Sequence, residues 1–126
     1  MTIDDLIALA TSRAHICGCV ACSALNCKGW ESLPGSYNPS DLHAIGTLVD
    51  PEAQYPTVEE YHPNGTHSWS ADAPIAPAWF PYNRCSVSEC VGCGKLFLRY
   101  TEYGGYYTDE RIRELQTDLI SGAAYP

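Results

Sequence analysis

Between residues 29 and 83 the chain has neither lysine nor arginine. The acids Glu31, Asp41, Asp50, Glu52, Glu59, Glu60 and Asp72 all fall in that span, and the whole sequence carries a formal net charge of −8. The basic residues Arg84, Lys95, Arg99, Arg111 and Arg113 lie beyond it. Nucleic-acid binding through a broad basic face is therefore not expected, since phosphate contacts need clustered Lys and Arg. Long apolar runs are missing too: none approaches the roughly 18 residues that cross a bilayer, so no membrane partner is expected. The N-terminal residues lack the basic, then apolar, then small-residue plan of a secretory signal. Seven cysteines, an odd number, without such a signal argue against a disulfide framework. The expectation is a reducing, cytoplasmic location with thiols free to bind metal. Also lacking are a nucleophile–base motif of recognisable spacing and any low-complexity tract.

The 126 residues, 45% of them hydrophobic, predict one domain over residues 1–126 with a small core. Ten glycines and nine prolines predict much turn and irregular structure, most of it in residues 29–83, which read as a loop-rich acidic insertion. The fold class expected is α+β: a small irregular domain in which a knuckle and a β-hairpin are flanked by N- and C-terminal helices. The N-terminal helix covers residues 2–15, with Thr2 and Asp5 as a capping box and Ile3, Leu6, Ile7, Ala10 and Ala14 as its apolar face. Short helices are predicted at residues 40–45 and 57–62, a short strand at 47–49, and a turn at Asn64-Gly65. Residues 73–81, with their prolines, read as extended. Strand formers fill residues 96–103, and Gly104-Gly105 predicts a two-residue hairpin turn returning through Tyr106 and Tyr107. Thr108 then reads as the cap of a C-terminal helix with Ile112, Leu115, Leu119 and Ile120 as its buried stripe and Gly122 as its end.

The cysteines fall into two clusters: Cys17, Cys19, Cys22 and Cys27, then Cys85, Cys90 and Cys93. Cys19-Val-Ala-Cys22 and Cys90-Val-Gly-Cys93 are both Cys-x-x-Cys pairs, and two such pairs supply four thiolates to one tetrahedral zinc. Glycine at position 94 allows a positive φ, so that backbone amides turn toward a sulfur. Cys17 or Cys27 replacing a member of the first pair, and Cys85 as a ligand, remain alternatives. So do an iron–sulfur cluster, for which no standard spacing is present, and a redox pair, for which no thioredoxin-like alternation surrounds the thiols. The separation of the pairs far exceeds the roughly 15–20 residues of compact sites, yet loop closure grows costlier only slowly with length.

Outside the cysteines, His62 and His67 with Glu59 form a candidate second, open metal site or acid–base pair. His15 and His43 read as helix-surface residues. The tyrosines Tyr100, Tyr103, Tyr106 and Tyr107, with Arg99 and Glu102, form a candidate recognition face, because Tyr and Arg are favoured at protein interfaces.

The run from Cys90 to Phe97, Cys-Val-Gly-Cys-Gly-Lys-Leu-Phe, resembles the zinc knuckle of zinc-ribbon and treble-clef proteins. That resemblance implies a fold element and a structural zinc, with no particular activity. The runs Phe80-Pro-Tyr-Asn-Arg-Cys85, Phe97-Leu-Arg-Tyr-Thr-Glu-Tyr-Gly-Gly-Tyr-Tyr107 and Gly29-Trp-Glu-Ser-Leu-Pro34 are similar to a group of small uncharacterised bacterial proteins.

The function expected is that of a non-enzymatic, zinc-stabilised protein-binding module. Its faces are the acidic residues Glu59, Glu60 and Asp72 and the hairpin residues Tyr103 and Tyr106, and its partner is another protein of basic character. An immunity protein that neutralises a toxin is the concrete version. A small enzyme with a site around His62, His67 and Trp69 is the alternative. A zinc-ribbon adaptor for transcription or RNA machinery is a third, which would require Lys95, Arg99, Arg111 and Arg113 to form one patch.

Overall fold

In the structure, a computed structural model describing residues 1–35 and 37–126, the chain is a small α+β domain with a single α-helix among the described residues and a five-stranded antiparallel sheet. Helix α1 (Ile3–Arg13) opens with the expected capping box: the Asp5 amide donates to Thr2 Oγ1 at 3.1 Å and the Thr2 amide to Asp5 Oδ2 at 3.0 Å. Hydrogen bonding to the Asp5 carboxylate from the Thr2 backbone, and then from the Thr2 side chain, holds that carboxyl below its ordinary pKa. The buried face differs from the expected one. Leu6 and Ala10 are buried and Leu9 packs beside them, whereas Ile7 and Ala14 are exposed.

The sheet runs β1 (Glu31–Ser32), β5 (Thr108–Glu114), β4 (Leu96–Tyr103), β3 (Ser86–Cys90), β2 (Leu42–Thr47). Strand β4 begins and ends where the strand formers predict. Alternation along it decides what each face packs. Leu96, Leu98 and Tyr100 point to a core that contains Leu6 of α1, Trp30, Leu48, Ile75, Tyr82, Cys85 and Val87. Phe97 points the other way, to a second cluster of Cys22, Leu25, Cys27, Tyr37, Leu42, Cys90 and Ile112. Both faces of the central strand are therefore covered. Residues 29–83 contribute β1, β2 and the core side chains Trp30, Ile75 and Tyr82.

Several expected elements are replaced. The C-terminal helix does not form. Residues 108–114 pair with β4 from Tyr103↔Thr108 to Phe97↔Glu114, and only a 3-10 turn, Thr117–Leu119, follows. Across strands, Glu110 accepts from the Thr101 hydroxyl at 2.7 Å and Asp109 from the Ser32 hydroxyl, while within β5 Asp109 also accepts from Arg111. The supposed stripe divides, with Ile112 in the second cluster and Leu115, Leu119 and Ile120 against the first. The hairpin loop spans four residues, closed by the Gly104 amide donating to the Tyr107 carbonyl at 2.8 Å.

Residues 42–47 are strand β2 after a 3-10 turn at Pro39–Asp41, so His43 sits exposed on a strand rather than a helix. His15 lies exposed just past the end of α1. The expected strand at 47–49 contributes only Thr47, the end of β2. Residues 57–62 form no helix, because Thr57 Oγ1 accepts from the Glu59 amide while the Thr57 and Glu59 carbonyls accept from Asn83 and Phe80. Of residues 73–81, only the stretch around the Ile75↔Ile120 bridge is extended, and turns follow. Asn64 and Gly65 both take positive φ, as their turn requires. Ser36, inside the expected loop-rich insertion of residues 29–83, lies outside the described residues.

Candidate metal centre

Two tight turns bring four thiols together. The first is a 3-10 turn, Val20–Cys22, entered from Cys19 and reached from α1 through Gly18, whose φ is +119°. The second joins β3 to β4 and contains Val91 through Lys95. It closes through two backbone bonds, Cys90 amide to Lys95 carbonyl at 2.9 Å and Gly94 amide to Cys90 carbonyl at 2.8 Å. Gly94 has φ +82°, the positive value read from its position after the second thiol. This geometry sets the Lys95 amide against the Cys93 sulfur, while the Cys19 amide donates to Cys22 Sγ at 3.3 Å.

The Sγ atoms of Cys19, Cys22, Cys90 and Cys93 all lie within 4.8 Å of one another, the arrangement of a zinc-knuckle-like site. Two contacts cross between the turns: Cys19 to Cys90 at 3.7 Å and Cys22 to Cys93 at 3.8 Å. All seven cysteines are free thiols. The turns interlock closely, since a Cβ added to Gly92 would lie 2.8 Å from Cys19 Sγ. Cys22 and Cys90 are buried, Cys19 and Cys93 partly so.

The donor set fits a tetrahedral metal. A zinc–thiolate distance of about 2.3 Å implies a ligand-to-ligand edge of about 3.8 Å, which the two cross-turn contacts match. Desolvation pushes the Cys93 thiol up to about 12, opposed by the Lys95 amide and reinforced by the three neighbouring sulfurs. Desolvation likewise raises Cys22. Crowded sulfurs resist ionising together, and a divalent cation reverses that preference by binding thiolates directly.

The other cysteines stand apart. Cys27 and Cys85 are buried in the two core clusters, where desolvation pushes Cys27 up to about 12 and Cys85 well above the ordinary thiol value. Cys17 is exposed. None of the three joins a group of metal-ligating side chains among the described residues.

The surroundings include contacts that no local motif announces. Arg13, in the last turn of α1, donates to the Gly94 carbonyl at 2.7 Å and to Glu89 at 2.9 Å, clamping the helix to the second turn. Lys95 forms an ion pair with the buried Glu114. These partners lie far apart in sequence, so only helix and sheet packing brings them together.

The remaining candidates are dispersed. His62 Nε2 and the Ser68 hydroxyl both bond Glu60 Oε1, at 2.9 Å and 2.7 Å. His62, His67 and Glu59 do not form a ligand group among the described residues. Glu59, Glu60 and Asp72 are exposed, as are Tyr103, Tyr106 and Tyr107 at the hairpin end. Tyr100 turns inward and packs edge-on to Trp30, with centroids 4.8 Å apart. The basic residues form no single patch: Arg113 is buried, and Lys95, Arg99 and Arg111 each face an acid. Among the described residues no helix is long and apolar enough to cross a membrane. No protein-family model, curated protein or solved structure matches this chain, so the similarity to small bacterial proteins gains no support.

Proposed function

We propose that the chain is a non-enzymatic protein-binding module whose fold is secured by a structural zinc on Cys19, Cys22, Cys90 and Cys93. The observation that carries this reading is the meeting of four thiols from two separate turns within 4.8 Å. Soft thiolate donors in a tetrahedral set favour zinc among the common divalent ions. Four protein ligands complete the coordination and leave no position for a reacting water, which is the arrangement of structural sites. The metal's contribution is to join the segment after α1 to the β3–β4 turn.

The recognition faces of this reading are the exposed acids Glu59, Glu60 and Asp72 and the hairpin residues Tyr103 and Tyr106. An acidic surface speeds encounter with a basic protein and rejects acidic ones. A toxin-neutralising immunity protein is the concrete form of such a module.

Elemental analysis of the chain purified under reducing conditions tests the metal. The expected result is one zinc per chain, lost in Cys22→Ser and Cys90→Ser and kept in Cys17→Ser. Retention of zinc by Cys90→Ser would remove the assignment. The recognition face is tested by affinity capture from the native cell over a salt series. A basic partner released by salt, and lost on reversing Glu59, Glu60 and Asp72, is expected. Capture unaffected by both treatments counts against the acidic face.

A further inference from the structure

We infer that the four thiols form a redox-convertible clasp: metal joins the two turns when the sulfurs are reduced, and two disulfides across the turns join them after oxidation by a hydroperoxide. This rests on the metal reading above and adds its regulation.

Accessibility and pairing carry the inference. Cys19 and Cys93 are partly exposed, whereas Cys22 and Cys90 are buried. Each accessible thiol therefore sits on a different turn, and each contacts a buried thiol of the opposite turn: Cys19 meets Cys90 at 3.7 Å and Cys93 meets Cys22 at 3.8 Å. A small peroxide reaches Cys19 or Cys93 first. The sulfenic acid formed there has its resolving thiolate across the clasp. The balance is four thiolates and two hydrogen peroxides giving two disulfides and four hydroxides. Each sulfur loses one electron, each peroxide gains two, and the divalent metal is released. The chain segments stay joined throughout, so oxidation exchanges the metal for covalent bonds without freeing residues 19–22 from β3 and β4.

The test uses the zinc-loaded full chain in the Cys17→Ser background, which removes the exposed thiol outside the clasp. Zinc content is measured first; a reduced chain that binds no metal overturns the metal reading and this inference together. Hydrogen peroxide is then added in steps, with released zinc followed by a chromogenic chelator and disulfides mapped by peptide mass spectrometry without reduction. Expected are full zinc release at two peroxides per chain, Cys19–Cys90 and Cys22–Cys93 linkages, and a retained circular-dichroism spectrum. Cys19–Cys22 and Cys90–Cys93 linkages, loss of the folded spectrum, or zinc retained against a tenfold peroxide excess would each overturn the clasp while leaving the structural zinc intact.

Discussion

Arg113 shows most sharply what a single residue does in this fold. Its side chain is fully buried, and it forms no ion pair among the described residues. Its guanidinium donates instead to the Lys28 carbonyl at 2.8 Å, the Ala73 carbonyl at 2.7 Å and the Tyr82 hydroxyl. One side chain thereby joins the segment after the first cysteine cluster, the middle loop and the sheet. The Lys28 carbonyl keeps the Gln116 amide as a donor, but removing Arg113 takes the buried donor from the Ala73 carbonyl and the Tyr82 hydroxyl, at about 1–3 kcal/mol for each. Arg113→Met is expected to destabilise by roughly 3 kcal/mol or more, and Tyr82→Phe by about 1–2 kcal/mol, in urea unfolding. An unchanged midpoint for Arg113→Met would mean the network contributes nothing net. Cys85→Ala, which removes a core thiol, is expected to lower stability while leaving zinc content unchanged.

At the scale of elements, the turn geometries matter most. Gly94 has φ +82°, and a Cβ there would lie 2.8 Å from the Arg13 guanidinium. Gly94→Ala is expected to cost about 1–2 kcal/mol from the left-handed backbone alone. It would also displace the Arg13 clamp on α1. Gly105→Ala, whose added methyl meets nothing within 4 Å, is expected to change stability by less than about 0.5 kcal/mol. Equal costs at the two positions, measured by urea unfolding, would refute the role given to the knuckle glycine. At the start of α1, Thr2→Ala removes a capping box and is expected to cost about 1 kcal/mol.

For the whole molecule, the four-thiol cluster brings together elements that the sheet leaves apart. The second core cluster is closed on one side by residues 19–27, which carry little regular structure beyond one 3-10 turn. Stability should therefore depend on the metal. Under reducing conditions, a strong chelator is expected to lower the thermal midpoint by several degrees and expose the Cys22 and Cys27 thiols to a labelling reagent. Cys85, in the other cluster, is expected to stay protected longer. Acid should act in the same direction, because protons compete with metal for thiolate sulfur. A thermal midpoint indifferent to chelation would show that the sheet alone supports the fold.

The sequence by itself determined what depends on near neighbours. The capping box of Thr2 and Asp5, the bounds of β4, the positive φ of Gly94 and the identity of the four clustered thiols could all be read from residue type and local spacing. The two Cys-x-x-Cys pairs were legible because a metal site demands particular donors at short intervals. Tertiary structure decided the rest. The Thr108 cap, the spacing of Ile112, Leu115, Leu119 and Ile120 and the Gly122 stop suit a helix, but residues 108–114 pair along β4 and so became a strand. Residues 42–47 were claimed by β3 in the same way. The aromatic stretch of β4 was divided by position along the strand: Tyr100 lies under the first core cluster, whereas Tyr103, at the hairpin end, is exposed. Arg113, Arg13 and Lys95 owe their roles to partners distant in the chain, and no local pattern encodes such a partner. Sequence singled out the four thiols that cluster; packing decided which sulfur faces which, and that pairing depends on how two turns interlock in space.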